Sequence, residues 1–241
     1  MNYIERLLKK TLQNAGILIR YYSPASSEEA RRLKLIQLYN IDLVFDVGAN
    51  KGQYGLSLLD AGFKGKIVSF EPLSSAYGIL LKQSKPFKSW NIAPRCALGN
   101  ENKEIEMNIS ANLVSSTILN MLDTHIKGAP ESKIIGKEKA DLMKLDNIGK
   151  KYIKSNNTYL KIDVQGFEYE VLLGAKEIFP QIKGIELEIS VEPLYEGQQW
   201  LFSNVLEYTR EHNFALHSMT PAFTDNATGK VLQYNGIFFR R

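Results

Sequence analysis

Val44-Phe45-Asp46-Val47-Gly48-Ala49-Asn50-Lys51-Gly52-Gln53-Tyr54-Gly55 is an apolar run that ends in an acid and breaks into a glycine-bearing loop, which in turn opens a helical pattern. Strand, ligand loop and helix start follow one another in this order in doubly wound α/β folds. The next apolar run closes on Ser69-Phe70-Glu71-Pro72, and Glu71 stands 23 residues after Gly48. A spacing of about 20 residues places an acidic side chain on the ribose hydroxyls of a bound nucleoside. The two motifs together predict a nucleoside-bearing cofactor.

Charge narrows the choice. A dinucleotide loop asks for G-x-G-x-x-G around a pyrophosphate, and Asn50 stands where the second glycine belongs. Asp46 puts a carboxylate at the base of the loop, where it repels a pyrophosphate but suits the ammonium and sulfonium charges of S-adenosylmethionine. A nicotinamide-dependent oxidoreductase is disfavoured on the same two residues. The residues read as cofactor-binding here are Asp46, Gly48, Asn50, Gly52, Tyr54, Glu71 and Pro72, with Ala97 beside Cys96 edging the adenine.

The 241 residues suffice for one α/β domain with a modest extension. A net charge of +4, with no cluster of Lys and Arg among aromatics, gives no case for nucleic acid. The single cysteine, Cys96, has no disulfide partner and points to a reducing compartment. No run approaches the roughly 18 apolar residues of a membrane span, and the first 22 residues lack the features of a signal peptide. A cytoplasmic protein is expected. Met1–Tyr22 carries Ile4, Leu7, Leu8, Leu12, Ala15 and Leu18 at helical spacing among Arg6, Lys9, Lys10 and Arg20. This basic amphipathic helix is expected to pack on its own domain or on a second subunit, making a homo-oligomer, with an anionic membrane as the competing partner; no stable membrane anchoring is expected.

Residues 1–40 read as a helical extension and 41–241 as the main domain. Ser26-Ser27-Glu28-Glu29 supplies an N-cap with acids in the first turn of a helix that runs toward Asn40. Strand Leu43–Val47 follows, then helix Gly52–Asp60, strand Lys66–Phe70, helix Ser74–Gln83, and strands Trp90–Ala97 and Glu104–Ile109. Roughly Ser110–Gly136 is polar and aperiodic, the pattern of a lid or binding loop. Order returns at Ala140–Leu145, then strand Tyr159–Val164, helix Gly166–Leu173, strand Gly184–Ser190, helix Trp200–Glu211 and a closing pair of strands. The alternation implies a mostly parallel sheet with helices on both faces.

Lys161-Ile162-Asp163-Val164-Gln165-Gly166-Phe167-Glu168 is a second apolar strand ending in an acid and a glycine. Ligands of open α/β sheets bind at the carboxyl ends of the strands, which sets Asp163 in the same crevice as Asp46 and Glu71. Capping of the following helix is the competing role for Asp163. Glu186 and Glu188 share one face of the next strand, with Glu188 nearer its carboxyl end, and a solvated face is the competing role for both. Lys161 is read as lying on the opposite strand face from Asp163 and is not assigned to catalysis.

With these pieces the chain resembles the FkbM-type methyltransferases, members of the Rossmann-like class that uses S-adenosylmethionine. Phe45–Gly52, Phe70-Glu71-Pro72, Leu145–Ile148, Leu160–Glu168 and Glu188 followed by Pro193–Gly197 occur in the family's order. The resemblance implies a sheet of about seven strands whose last strand is antiparallel. It also implies methyl transfer to oxygen, often a sugar hydroxyl in glycan or natural-product assembly. Asn112, Ser115 and Ser116 match a polar stretch that lies over the cofactor in such enzymes, and Asn235 stands where members often carry an aspartate.

An alcohol needs help to act as a nucleophile, and a carboxylate base or a divalent cation supplies it. Asp163 fits either role, with Glu188 beside it and His125 as a base carried on the middle segment. Two well-placed oxygen ligands are few for a hard cation, so no metal is assigned. The expected partner is a small-molecule or glycan acceptor. The competing function is a non-catalytic S-adenosylmethionine-binding scaffold in a glycan-assembly complex.

Overall fold

The computed structural model describes residues 3–155 and 157–241. Met1 and Asn2 of the expected first helix lie outside the described residues. In chain order the elements are α1 (Tyr3–Asn14), α2 (Glu28–Leu38), β1 (Leu43–Val47), α3 (Gln53–Asp60), β2 (Lys66–Phe70), α4 (Ser74–Ser84), β3 (Trp90–Ile92), β4 (Ala97–Leu98) and β5 (Lys103–Ser110). Then come α5 (Asp123–Gly128), β6 (Ile134–Met143), α6 (Leu145–Gly149), β7 (Thr158–Ile162), α7 (Glu168–Leu173), β8 (Ile182–Ser190), α8 (Phe202–Glu211), β9 (Phe214–Thr224) and β10 (Val231–Arg240).

Seven strands form the main sheet in the order β3-β2-β1-β7-β8-β10-β9. All pairs from β3 to β8 are parallel, and β10, the last strand, is antiparallel to both its neighbours. This is a doubly wound, mostly parallel α/β sheet of the expected kind, with the topological reversal between β1 and β7 opening a crevice at the carboxyl ends. One face buries Val44, Ile67 and Tyr159 under Ile36 of α2, Leu58 of α3 and Leu80 of α4. The other buries Phe45, Leu160 and Ile185 under Leu145 of α6, Val171 of α7 and Val205 of α8. Period-two alternation along buried strands sends successive side chains to the two cores.

α2 belongs to this body rather than to an appendage. Ser27 Oγ accepts from the Ala30 amide as its cap, and Arg32 and Ile36 are buried. α1 ends at Asn14, short of Tyr22, and no residue from Arg6 to Tyr22 is buried. Packing of that helix on its own domain, one of the two expected arrangements, is therefore not what the described residues show.

A second sheet of three strands, β4-β6-β5, was not expected. The single strand expected over Trp90–Ala97 divides between the two sheets, because Pro94 has no amide to continue the ladder. β5 forms where a strand was expected over Glu104–Ile109, and it pairs antiparallel with β6, which begins at Ile134 although order was expected only from Ala140. The outer face of the pair is charged and joined across strands by Lys137 to Glu106 and Lys139 to Glu104, each at 2.6 Å, and Gly136-Lys137-Glu138-Lys139 carries no apolar residue to mark that part of β6. The inner face places Ala97, Met107, Ala140 and Leu142 against Leu73 and Ala76 at the start of α4.

Candidate active site

The carboxyl ends of β1, β2 and β7, with the small sheet as a roof, form a cleft. Gly48, Asn50, Glu71, Pro72, Ala97, Ser116 and Asp163 line it, as the sequence proposed. Its apolar walls, Phe70, Leu98, Met107, Leu113, Ile118 and Phe167 among them, were not foreseen, since nothing in their spacing marks a ligand contact.

The loop after β1 is shaped by close approach to β7. Gly48 has φ of +74°, and a Cβ there would sit 1.8 Å from the Asp163 carbonyl oxygen, so only glycine fits. Three residues other than glycine with positive φ, Asn50, Leu113 and Gln165, also line the cleft. Backbone held in such conformations concentrates at functional sites. Asn50 Nδ2 donates to the Leu113 carbonyl at 3.2 Å, tying the loop to the segment that crosses the mouth of the cleft.

Glu71 is nearly enclosed, and its two carboxyl oxygens accept the amides of Asn50 and Leu73, each at 2.8 Å. Burial pushes its pKa up to about 7 against the pull of those amides. A carboxyl with unused lone pairs in a cleft is poised to accept from a ligand hydroxyl pair.

Asp46 does not face the cleft. Its side chain is fully buried beneath the loop, accepting from Ser69 Oγ at 3.0 Å, with Lys161 Nζ 3.2 Å away on the other oxygen. Lys161 lies on the same strand face as Asp163, two residues on, contrary to the sequence reading; the period of two places them together. Its ammonium lies 3.6 Å from Asp163 Oδ2 and donates to the Gly48 carbonyl at 3.2 Å. Burial works against the ammonium, but the carboxylates of Asp46 and Asp163 outweigh it and raise the Lys161 pKa. Lys161 is thus a strut between the glycine loop and β7.

Asp163 is half-exposed to the cleft and caps no helix. The backbone amides of Val164 and Gly166 are taken by Glu168, and α7 starts only at Glu168 because Gln165 and Gly166 have positive φ. Gln165, assigned no role from sequence, is a hub. Its Nε2 donates to Asp163 Oδ1 at 2.8 Å and to Glu188 Oε2 at 2.7 Å, and its Oε1 accepts from Tyr195 at 2.6 Å. Gln233 Nε2 also donates to Glu188, at 2.9 Å. Burial, with the charges of Asp163 and Glu168, pushes the Glu188 pKa well above the ordinary carboxylate range. Asp163 and Glu188 thus share one amide donor in and beside the cleft wall.

Other proposed residues lie elsewhere. Gly52 packs under Trp90 and Leu80. The Tyr54 hydroxyl donates to Glu186 at 2.7 Å, a contact that carries it into the core. Asn112 and Ser115 bond to each other in the roof loop at 3.1 Å and do not reach the cleft lining. His125 is buried between Tyr195 and Phe223, with Nδ1 3.0 Å from Ser132 Oγ, and burial lowers its pKa; it packs a satellite core rather than the cleft. Glu186 is no solvated residue: Arg32 binds it through two nitrogens, at 2.9 and 2.7 Å, and Tyr159 donates at 2.9 Å. Burial pushes its pKa up, but Arg32 and the two tyrosine hydroxyls outweigh that and lower it. Among the described residues no group of three or more His, Cys, Asp and Glu side chains is arranged to hold a metal ion.

Compared with known proteins, residues 46–216 match the family described as Methyltransferase FkbM domain. Similar solved structures include an rRNA methylase from Streptococcus thermophilus, 12% identical over 92% of this chain and 99% of that one, with a TM-score of 0.46. Another is precorrin-6y C5,15-methyltransferase from Geobacter metallireducens, 12% identical over 92% of this chain and 93% of that one, with a TM-score of 0.43. TehB from Haemophilus influenzae is 9% identical over 97% of this chain and 66% of that one, with a TM-score of 0.47. No curated protein matches the chain in sequence.

Proposed function

Because the chain belongs to the FkbM methyltransferase domain family and is thereby an S-adenosylmethionine-dependent methyltransferase, we propose that it methylates a hydroxyl oxygen of a sugar, glycan or natural-product acceptor, with Asp163 handling the proton. The residues of the cleft fit the cofactor. The bare Gly48 and the positive φ of Asn50 shape a cradle without side-chain bulk, and Glu71 offers carboxyl lone pairs suited to a ribose diol. Phe70, Pro72, Ala97 and Leu98 would give an adenine ring its apolar contact. When bound, the cofactor supplies an electrophilic sulfonium methyl to a nucleophile held about 3 Å away.

This chain's own part is to hold the acceptor hydroxyl and take its proton. Asp163 reaches the cleft at the end of β7, apart from the ribose position given to Glu71, and its carboxylate is oriented by Gln165 and balanced by Lys161. Burial and neighbouring charge hold the Glu188 carboxyl toward its protonated form behind the same amide. The observation that carries the reading is Asp163 in the cleft wall, partly exposed and capping no helix. Fit to an oxygen acceptor rests on a carboxylate base, the group that suits an alcohol.

The test uses methyl-labelled S-adenosylmethionine with glycan and lipid extracts of a host strain lacking the gene. Wild type should place label in methyl ethers of sugars or other hydroxyls, and Asp163→Asn should cut the rate by about 100-fold while S-adenosylhomocysteine affinity stays within a few-fold. Label appearing only in amines, or Asp163→Asn at near-normal rate, overturns the reading.

A further inference from the structure

We propose that the N-terminal segment through Tyr22 is a binding site for an anionic lipid surface. Leu7, Leu8 and Leu12 share one face of α1, and Arg6, Lys9, Lys10 and Gln13 the other. Leu7, Leu8, Ile17, Leu18, Ile19, Tyr21 and Tyr22 are each at least half exposed, from 50% at Ile17 to 94% at Tyr21, a concentration of apolar surface found nowhere else in the described chain. An isolated helix of 12 residues is marginal in water. This one therefore requires a surface to cover its apolar stripe.

Charge chooses the surface. From Tyr3 to Tyr22 the chain carries Arg6, Lys9, Lys10 and Arg20 against the single acid Glu5. A second copy packed on the leucines would leave these cations without a counter-charge, whereas on an anionic surface headgroups attract the lysines flanking the leucine face while the leucines enter the acyl boundary. Arg20-Tyr21-Tyr22 has the cationic and aromatic character of residues that settle at headgroup level. The helix lies on such a surface rather than crossing it, since no helix among the described residues is long and apolar enough to span a membrane.

The segment joins the domain on the β10 and β9 side of the main sheet. Arg31 holds the Pro24 and Ala25 carbonyls, and Glu28 accepts from Thr220 and from Asn235, whose neighbour across the ladder is Glu188. Lipid contact through α1 therefore brings that edge of the sheet toward the bilayer. If the methyltransferase reading above holds, this placement favours an acceptor carried at the lipid surface, though the binding itself does not depend on that reading.

Flotation of the full chain with phosphatidylcholine vesicles, with and without phosphatidylglycerol, tests the proposal at about 0.15 M salt. The chain should float with the phosphatidylglycerol vesicles only. Leu7→Glu/Leu8→Glu and Lys9→Glu/Lys10→Glu should each reduce the bound fraction at least about tenfold, with melting temperature unchanged because these side chains touch no core. A full chain left behind by both vesicle types overturns the proposal. So does self-association that is lost in Leu7→Glu/Leu8→Glu without any flotation, which would assign the stripe to a second copy.

Discussion

Removing the ammonium of Lys161 leaves Asp46 charged, fully buried and balanced only by the Ser69 hydroxyl. Breaking a buried pair by deleting one partner costs about 3–5 kcal/mol, most of it the uncompensated charge. Lys161→Met should lower thermal stability by that order, and adding Asp46→Asn should recover much of the loss. A double variant no more stable than the single one would show that Lys161 acts otherwise than by balancing Asp46. At this scale the sequence was legible where backbone requirement and chemistry coincide: Gly48, Glu71 and Asp163 are each the residue type their position demands. It was misleading for Asp46, because an acid at a strand's carboxyl end faces either ligand or core, and the buried lysine two residues before Asp163 decides between them. Gln165 escaped notice for a different reason. Its role depends on Glu188 and Tyr195, which no local pattern brings to it.

Between β7 and α7 the turn is held by one carboxyl. Glu168 Oε1 accepts the amides of Val164 at 3.2 Å and Gly166 at 3.1 Å, and burial pushes its pKa from an ordinary 4.5 up to about 7. The folded chain thus binds this proton more tightly than the unfolded one, so the contribution to stability is complete below pH 4.5 and is lost as the pH rises through about 7. Glu168→Gln keeps an oxygen for both amides and removes the titration. Melting temperatures from pH 5 to 8 should show the variant gaining on wild type as pH rises, by up to about 3 kcal/mol; a constant gap would exclude the assignment. The elements themselves were mostly readable, with β1 and β2 falling within the expected limits because their apolar runs are sharply bounded. The roof was readable only in β5, where Ile105, Met107 and Ile109 alternate with polar residues. The start of β6 was not, because Gly136-Lys137-Glu138-Lys139 leaves no apolar period, and nothing local says that the two strands pair.

Across the whole molecule a row of alternating charge runs through the sheet, from Asp46 to Lys161 to Glu186 and out to Arg32 on α2. The helix placed before the domain by its sequence position is therefore fastened to the domain's centre. Arg32→Met should destabilise the protein by about 3–5 kcal/mol through the stranded Glu186. By the same logic a chain beginning at Ser27 should melt close to the full chain, and one beginning at Asn40 should not fold; equal melting of the two would remove α2 from the core. The limits of the family match, 46–216, begin inside β1 and omit β10, so the recognisable unit is smaller than the folding unit. The bond from Asn50 to the Leu113 carbonyl carries a consequence for time rather than for affinity. A nucleoside seated under the roof would pass that bond on leaving, so opening of the roof would belong to the exchange of product for fresh cofactor rather than to the methyl step.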